Sequence, residues 1–111
     1  MRRVVVESPY AGDVRRNTEY ARLCLHNCFM RGEAPFASHL LYTQPGVLDD
    51  TIPHDRALGI EAGLTWGKTA DATVVYLDYG ITPGMQKGID RAKSEGRPVE
   101  YRRLYEDEYF A

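Results

Sequence analysis

Four short β-prone runs alternate with three helical ones along 111 residues. The third run is apolar on both faces, as a covered central strand requires. These features predict an α/β fold in a single domain: a four-stranded parallel sheet, order 2-1-3-4, flanked by helices. The length suits one domain with its own core.

The first strand is Arg3 to Glu7, β-branched through Val4-Val5-Val6, and it ends in the loop Ser8-Pro9-Tyr10-Ala11-Gly12. Val14 to Arg31 follows as a helix whose apolar face holds Tyr20, Ala21, Leu23, Cys24, Leu25, Cys28 and Phe29, with Gly32 closing it. Ala34 to His39 is a second, weaker strand. Leu40 to Thr51 is then a long connection, with Pro45-Gly46 at its centre and Asp49-Asp50 near its end. Loops of that length in small domains are often functional.

Pro53 opens a second helix to about Lys68, with Ala57, Ile60, Leu64 and Trp66 as its expected buried side. Gly59 and Gly63 allow close approach there. Asp71 to Leu77 is the strongest strand. Thr82 is the expected N-cap of the third helix, Pro83 its first residue and Gly96 its C′ residue, with Met85, Ile89 and Ala92 facing inward. Pro98 to Leu104 is the last strand. The domain is thus residues 1–104, followed by an acidic, aromatic tail at 105–111.

Composition excludes several classes. With 14 Lys+Arg against 16 Asp+Glu, net charge is −2, which argues against a domain that holds nucleic acid by bulk charge. Apolar runs are too short to span a bilayer. The basic-then-apolar start reaches Glu7 too soon for a signal peptide, so a cytoplasmic location is expected. Cys24 and Cys28 read as reduced core thiols rather than a disulfide framework.

In open parallel sheets, ligands bind beyond the carboxyl ends of strands where strand order reverses. Order 2-1-3-4 places that point between strands 1 and 3. Two loops meet there: Glu7, Ser8, Pro9, Tyr10, Ala11 and Gly12 form one, and Asp78, Tyr79, Gly80, Ile81, Thr82, Pro83, Gly84 and Met85 form the other, with Gln86 just beyond. A helix N-terminus favours an anion such as phosphate. Tyr10 and Tyr79 offer flat walls for a base or sugar. A plain strand-to-helix turn needs the same Gly80 and Pro83, so the motif has a purely structural reading too.

His39 is the histidine best placed for chemistry, at the expected end of strand 2. His26 and His54 are expected in solvent. His39 with Asp49 or Asp50 lacks the fixed spacing of a metal site, and no metal or cofactor is expected. Phosphate-binding and dinucleotide-binding glycine motifs do not occur.

In their order, three segments resemble the nucleoside 2-deoxyribosyltransferase-like superfamily, above all its small phage-type and bacterial members. They are Val4-Val5-Val6-Glu7-Ser8-Pro9-Tyr10-Ala11-Gly12, Ala70 through Asp78, and Gly84-Met85 followed by Ala92 and Gly96. Gly32 through His39 resembles the phage-type subgroup. The resemblance covers about residues 3 to 104 and implies a Rossmann-like or flavodoxin-like domain. It also implies a nucleoside or nucleotide ligand, N-glycosidic bond cleavage and a homodimer or larger assembly, in a host cytoplasm if phage-encoded.

Such enzymes use a glutamate on the third helix. Counting back from Ala92 and Gly96 places it at Gly88, and counting forward from Gly84-Met85 places it at Gln86. Neither is acidic. Asp78 is then the expected catalytic carboxylate, with Asp90 as a substitute; Ser8, Tyr10, His39 and Asp50 stand among the binding residues. The alternative is a binder that keeps the pocket without turnover and sequesters a nucleotide. A third reading uses Tyr101, Tyr105 and Tyr109, four apart, as a helical stripe for a partner, although charge favours a solvated tail.

Overall fold

The computed structural model describes residues 1–105. Eight elements follow in order: β1 (Arg2–Glu7), α1 (Val14–Met30), β2 (Glu33–Phe36), α2 (Ser38–Leu41), α3 (Pro53–Gly67), β3 (Ala72–Tyr76), α4 (Pro83–Ser94) and β4 (Val99–Arg102). The sheet runs β2-β1-β3-β4 and every pairing is parallel. This is the expected architecture. No helix among the described residues is long and apolar enough to cross a membrane.

Each strand's place follows from its residues. All five side chains of β3 are buried, as a central strand covered on both faces demands. β2 carries Pro35, which lacks a backbone donor, and it lies at the sheet edge. β1 pairs on both sides, Val4 with Pro35 and with Ala72. Its alternation sends Val4 and Val6 into the larger core beneath α1, with Tyr20, Cys24, Cys28, Val74 and Tyr76. Val75, Met85 and Ile89 form a smaller core beneath α4. Val5 and Glu7, by the same alternation, look toward the second side.

Helix ends follow capping chemistry. Asp13 Oδ1 accepts from Arg16 N at 3.1 Å, and Thr82 Oγ1 accepts from Met85 N at 3.2 Å. Gly32 and Gly96 adopt φ of +75° and +70°, the left-handed turn that ends α1 and α4 and that a side chain would strain.

Three expectations need correction. The second strand stops at Phe36, and His39 lies on the short helix α2 instead of at a strand end. The hydroxyl-bearing Ser38 and the run Leu40-Leu41 continue as one helical turn, with Leu41 N bonded to Ala37 O at 3.1 Å. Second, Leu23 and Phe29 of α1 are 46% and 57% exposed, because the narrower stripe Asn17, Tyr20, Ala21, Cys24 and Cys28 already covers the sheet. Third, Trp66 and Ala57 of α3 are exposed. The side turned inward is instead glycine, at Gly63 and Gly67, with Ile60 and Leu64 half-buried.

A buried ion pair ties the far side of the sheet. Arg102 on β4 reaches across β3 and β1 to Glu33 on β2, in a fork of 2.8 and 2.7 Å. Glu33 also accepts from Arg2 at 3.2 Å, and Tyr76 Oη accepts from Arg102 at 3.3 Å. These bonds hold Glu33 below the usual carboxylate range, against the opposing effect of burial. The expected cost of Glu33→Ala, which strands most of that buried cation, is about 3 kcal/mol in urea unfolding.

Candidate functional site

A cavity of about 380 Å³ opens on the α3/α4 side of the sheet, beyond the carboxyl end of β1. It stands at the β1/β3 reversal of strand order. Its walls come from the β1 loop, α2, the segment before α3, the glycine face of α3, and the start of α4.

The α3 wall is a matter of small residues. A Cβ on Gly63 would lie 2.6 Å from Ser38 Oγ, and one on Gly67 would press on Arg97 Nη2 at 3.2 Å. The glycine spacing thus lets α3 approach α2 and the sheet without filling the space between them.

Ser8 and His39 form one side. Ser8 Oγ and His39 Nε2 lie 2.7 Å apart, a hydrogen bond whose donor is set by the imidazole tautomer. Burial pushes the imidazole down to about 4, so His39 is neutral at pH 7. The Tyr10 ring meets the His39 ring edge-on, with centroids 6.5 Å apart. The β1 loop is fixed by buried Asn17, whose side-chain amide donates to the Tyr10 and Ala11 carbonyls at 3.0 and 3.1 Å.

Glu7 forms the floor. A Cβ built on Gly88 would overlap its carboxylate, so glycine on α4 makes the room that Glu7 occupies. No hydrogen bond or ion pair reaches that carboxylate among the described residues. Burial outweighs the attraction of Arg97 and lifts Glu7 from 4.5 to about 8. Arg97 itself is committed elsewhere, donating to Thr73 Oγ1 at 3.0 Å and Glu95 at 2.7 Å.

The start of α4 has little donor capacity left. Pro83 has no N–H, Met85 N donates to Thr82 Oγ1, and Gln86 N donates to Thr82 O. Gly84 N–H is the first-turn donor that remains. Arg56 also lines the cavity, and its guanidinium has no hydrogen bond or ion pair among the described residues.

Of the residues predicted from sequence, Ser8, Tyr10, Gly12, His39, Asp50, Thr82, Gly84 and Met85 line this cavity together. Pro9, Tyr79, Gly80 and Gln86 do not. Asp78 is also outside it, on the α1 side. Its Oδ2 accepts from Tyr20 Oη at 2.5 Å and Leu104 N at 2.8 Å, and its Oδ1 accepts from Tyr105 N at 3.2 Å. Burial opposes its ionisation, yet these donors keep its carboxyl below the usual range. Tyr79 stacks at the same place, edge-on to Tyr20 at 4.7 Å and beneath the Arg16 guanidinium at 4.1 Å. Asp90 is exposed and accepts from Gln86 at 2.8 Å. Tyr101 lies in β4 and Tyr105 bonds to Tyr79 at 3.2 Å, so they share no helical stripe. Tyr109, with 106–111 of the tail, lies outside the described residues.

Sequence reasoning put Glu7 in the β1 loop at the switch point without giving it a role, and it did not place Arg56, Arg97 or Gly67 at the site. The alternation of β1 carried a signal for Glu7, since a carboxylate sharing a face with Val5 must meet a covering helix. Nothing local marked the others. Among the described residues, no three His, Cys, Asp or Glu groups are arranged to hold a metal ion. Cys24 and Cys28 are free thiols, and burial pushes both upward, away from the reactive thiolate.

Cavity and sheet order define an α/β domain with a cavity at its topological switch point. The family described as a domain of unknown function (DUF7768) matches residues 2–102, and the chain belongs to it. Among solved structures, a 2-deoxyribosyltransferase from the psychrotolerant bacterium Bacillus psychrosaccharolyticus shares the fold. It is described as a biocatalyst for synthesis of antiviral and antitumoral nucleosides. The TM-score is 0.63 at 19% identity, over 89% of this chain and 70% of that one. No curated protein matches the chain.

The raised Glu7 carboxyl has a consequence for stability. Between pH 4.5 and about 8 the unfolded chain releases a proton that the folded chain keeps, so this contribution is full below 4.5 and is lost as pH rises through about 8. Glu7→Gln removes that loss. Thermal melts should show little difference between variant and wild type at pH 4, and a higher melting temperature for the variant at pH 9. Asp78→Asn should instead destabilise by about 1–3 kcal/mol, because its new amide would face donors.

Proposed function

We propose that the cavity binds a nucleoside or nucleotide and that the protein hydrolyses its N-glycosidic bond. One observation carries the reading: Tyr10, the Ser8–His39 pair and the start of α4 converge on one pocket at the switch point of a fold shared with a 2-deoxyribosyltransferase. Tyr10 supplies a flat apolar wall for a base. Ser8, neutral His39 and half-buried Asp50 supply hydrogen-bonding groups for the sugar. Arg56 and the Gly84 N–H supply donors for a 5′-phosphate. Asp78 is committed to the α1 side by three donors, so the cavity's own residues carry the reading.

A second reading has one observation in its favour. Gly88 and Gln86 stand where the resemblance puts a glutamate, which fits a binder without turnover. Ribo- and deoxyribonucleosides and their 5′-monophosphates, incubated with concentrated protein and followed by chromatography, separate the two. Free base with a rise in melting temperature is the expected result. A melting shift with no base would support the binder, and neither signal would reject both readings.

A further inference from the structure

This inference rests on the nucleosidase reading above and names the group that performs its chemistry. We propose that Glu7 is the catalytic acid–base of this site: its carboxyl gives a proton to the departing base, and its carboxylate then takes one from the attacking water.

Most other carboxylates in the fold have partners; among the described residues, Asp50 on the same cavity and the exposed Glu61 do not. Glu33, Asp71, Asp78, Glu95 and Glu100 each accept hydrogen bonds from backbone N–H, tyrosine hydroxyl or arginine groups. Glu7 accepts none among the described residues, although it is packed between the sheet and α4. Its oxygens keep access to the cavity, and a carboxyl group turned into a cavity with no protein partner is placed for a ligand. Gly88 is buried beneath it, and any side chain there would evict the carboxylate from the cavity floor. Thus two residues distant in sequence are matched in volume: a carboxylate on β1 and its absence on α4.

The charged groups around the cavity leave Glu7 free to act. Arg97, from the α4–β4 turn, is held by Thr73 and Glu95. His39, from α2, is neutral and bonded to Ser8. Asp50 precedes α3, Asp55 and Arg56 lie in its first turn, and the phenols are Tyr10 and Tyr42. Glu7 lies at about 8, so it is largely protonated at pH 7 and sits near the working pH that favours an acid–base catalyst.

The step balances as a hydrolysis. The C1′–N bond breaks, its electron pair stays on the base nitrogen, and the Glu7 proton joins that nitrogen. The base leaves neutral and the sugar becomes an oxocarbenium ion. Water adds at C1′, and the Glu7 carboxylate takes the surplus proton, restoring the carboxyl group. Products are free base and reducing sugar.

The test uses the full chain as wild type, Glu7→Gln and Gly88→Ala, with the nucleoside or monophosphate from which wild type releases most base. Glu7→Gln should lower kcat by about 100-fold or more while Kd, measured by calorimetry, changes by about threefold or less. Gly88→Ala keeps the carboxyl but displaces it, and should lower kcat about tenfold or more. Wild-type kcat/KM should fall as pH rises through about 8, a limb that Glu7→Gln should lack. Wild-type kcat in Glu7→Gln overturns the assignment, as does wild-type kcat in Gly88→Ala if the first variant does not fold. A wild-type rate that rises through pH 8 also overturns it, since that is the signature of a carboxylate nucleophile. A wild-type chain that releases no base overturns the underlying reading instead.

Discussion

The period-two alternation of β1, paired on both edges, is the constraint on which the molecule turns. Its even side chains, Val4 and Val6, complete the core under α1. Its odd ones, Val5 and Glu7, face the cavity. A slip of one residue would drive Glu7 into the larger core and turn valine to the cavity. The pairings Val4 with Pro35 and Ala72 on its two sides prevent that slip. Order reverses at β1, so the same strand that closes the core also opens the pocket.

The two faces of the sheet divide labour. On the α1 side, polar groups are fully matched: Asp78 by Tyr20, Leu104 and Tyr105, and Glu33 by Arg102 and Arg2. Such satisfied networks give a rigid support. On the other side, α3 contributes glycines that let Ser38 and Arg97 pack close against it, and a cavity opens beside them. The unpartnered Glu7 carboxylate lines that cavity, in the volume that Gly88 of α4 leaves. Rigidity on one face therefore supports the geometry of the face that carries the cavity.

Asp78 shows how a residue's position along a strand misleads. It stands at the carboxyl end of β3, the usual address of a ligand contact. Yet β3 ends one step out of phase with β1, and Asp78 emerges toward α1. There it ties down the chain after β4 through the Leu104 and Tyr105 N–H groups. The role of α4 changed in a similar way. Its N-terminus has the cap and proline of an anion site, but Thr82 takes Met85 N and only Gly84 keeps a free donor.

Local periodicity and capping residues were enough to read the sheet order, the three long helices, the all-buried β3, and the Thr82 and Gly96 ends of α4. These follow from nearest-neighbour physics, in which side-chain spacing sets which face is buried and glycine or proline sets where an element stops. The β1 loop with Ser8, Tyr10 and Gly12, the α4 start with Thr82, Gly84 and Met85, and His39 and Asp50 were also legible, because strand order alone brings those loop ends together. The helical setting of His39, the outward turn of Trp66 and the commitment of Asp78 were not. Each depends on which face of one element meets another, a choice made by packing over long sequence separations. The same holds for Glu7 and Gly88. In sequence, one is an ordinary strand-end carboxylate and the other a helix glycine. Only the tertiary structure sets the carboxyl group into the volume that the glycine leaves empty.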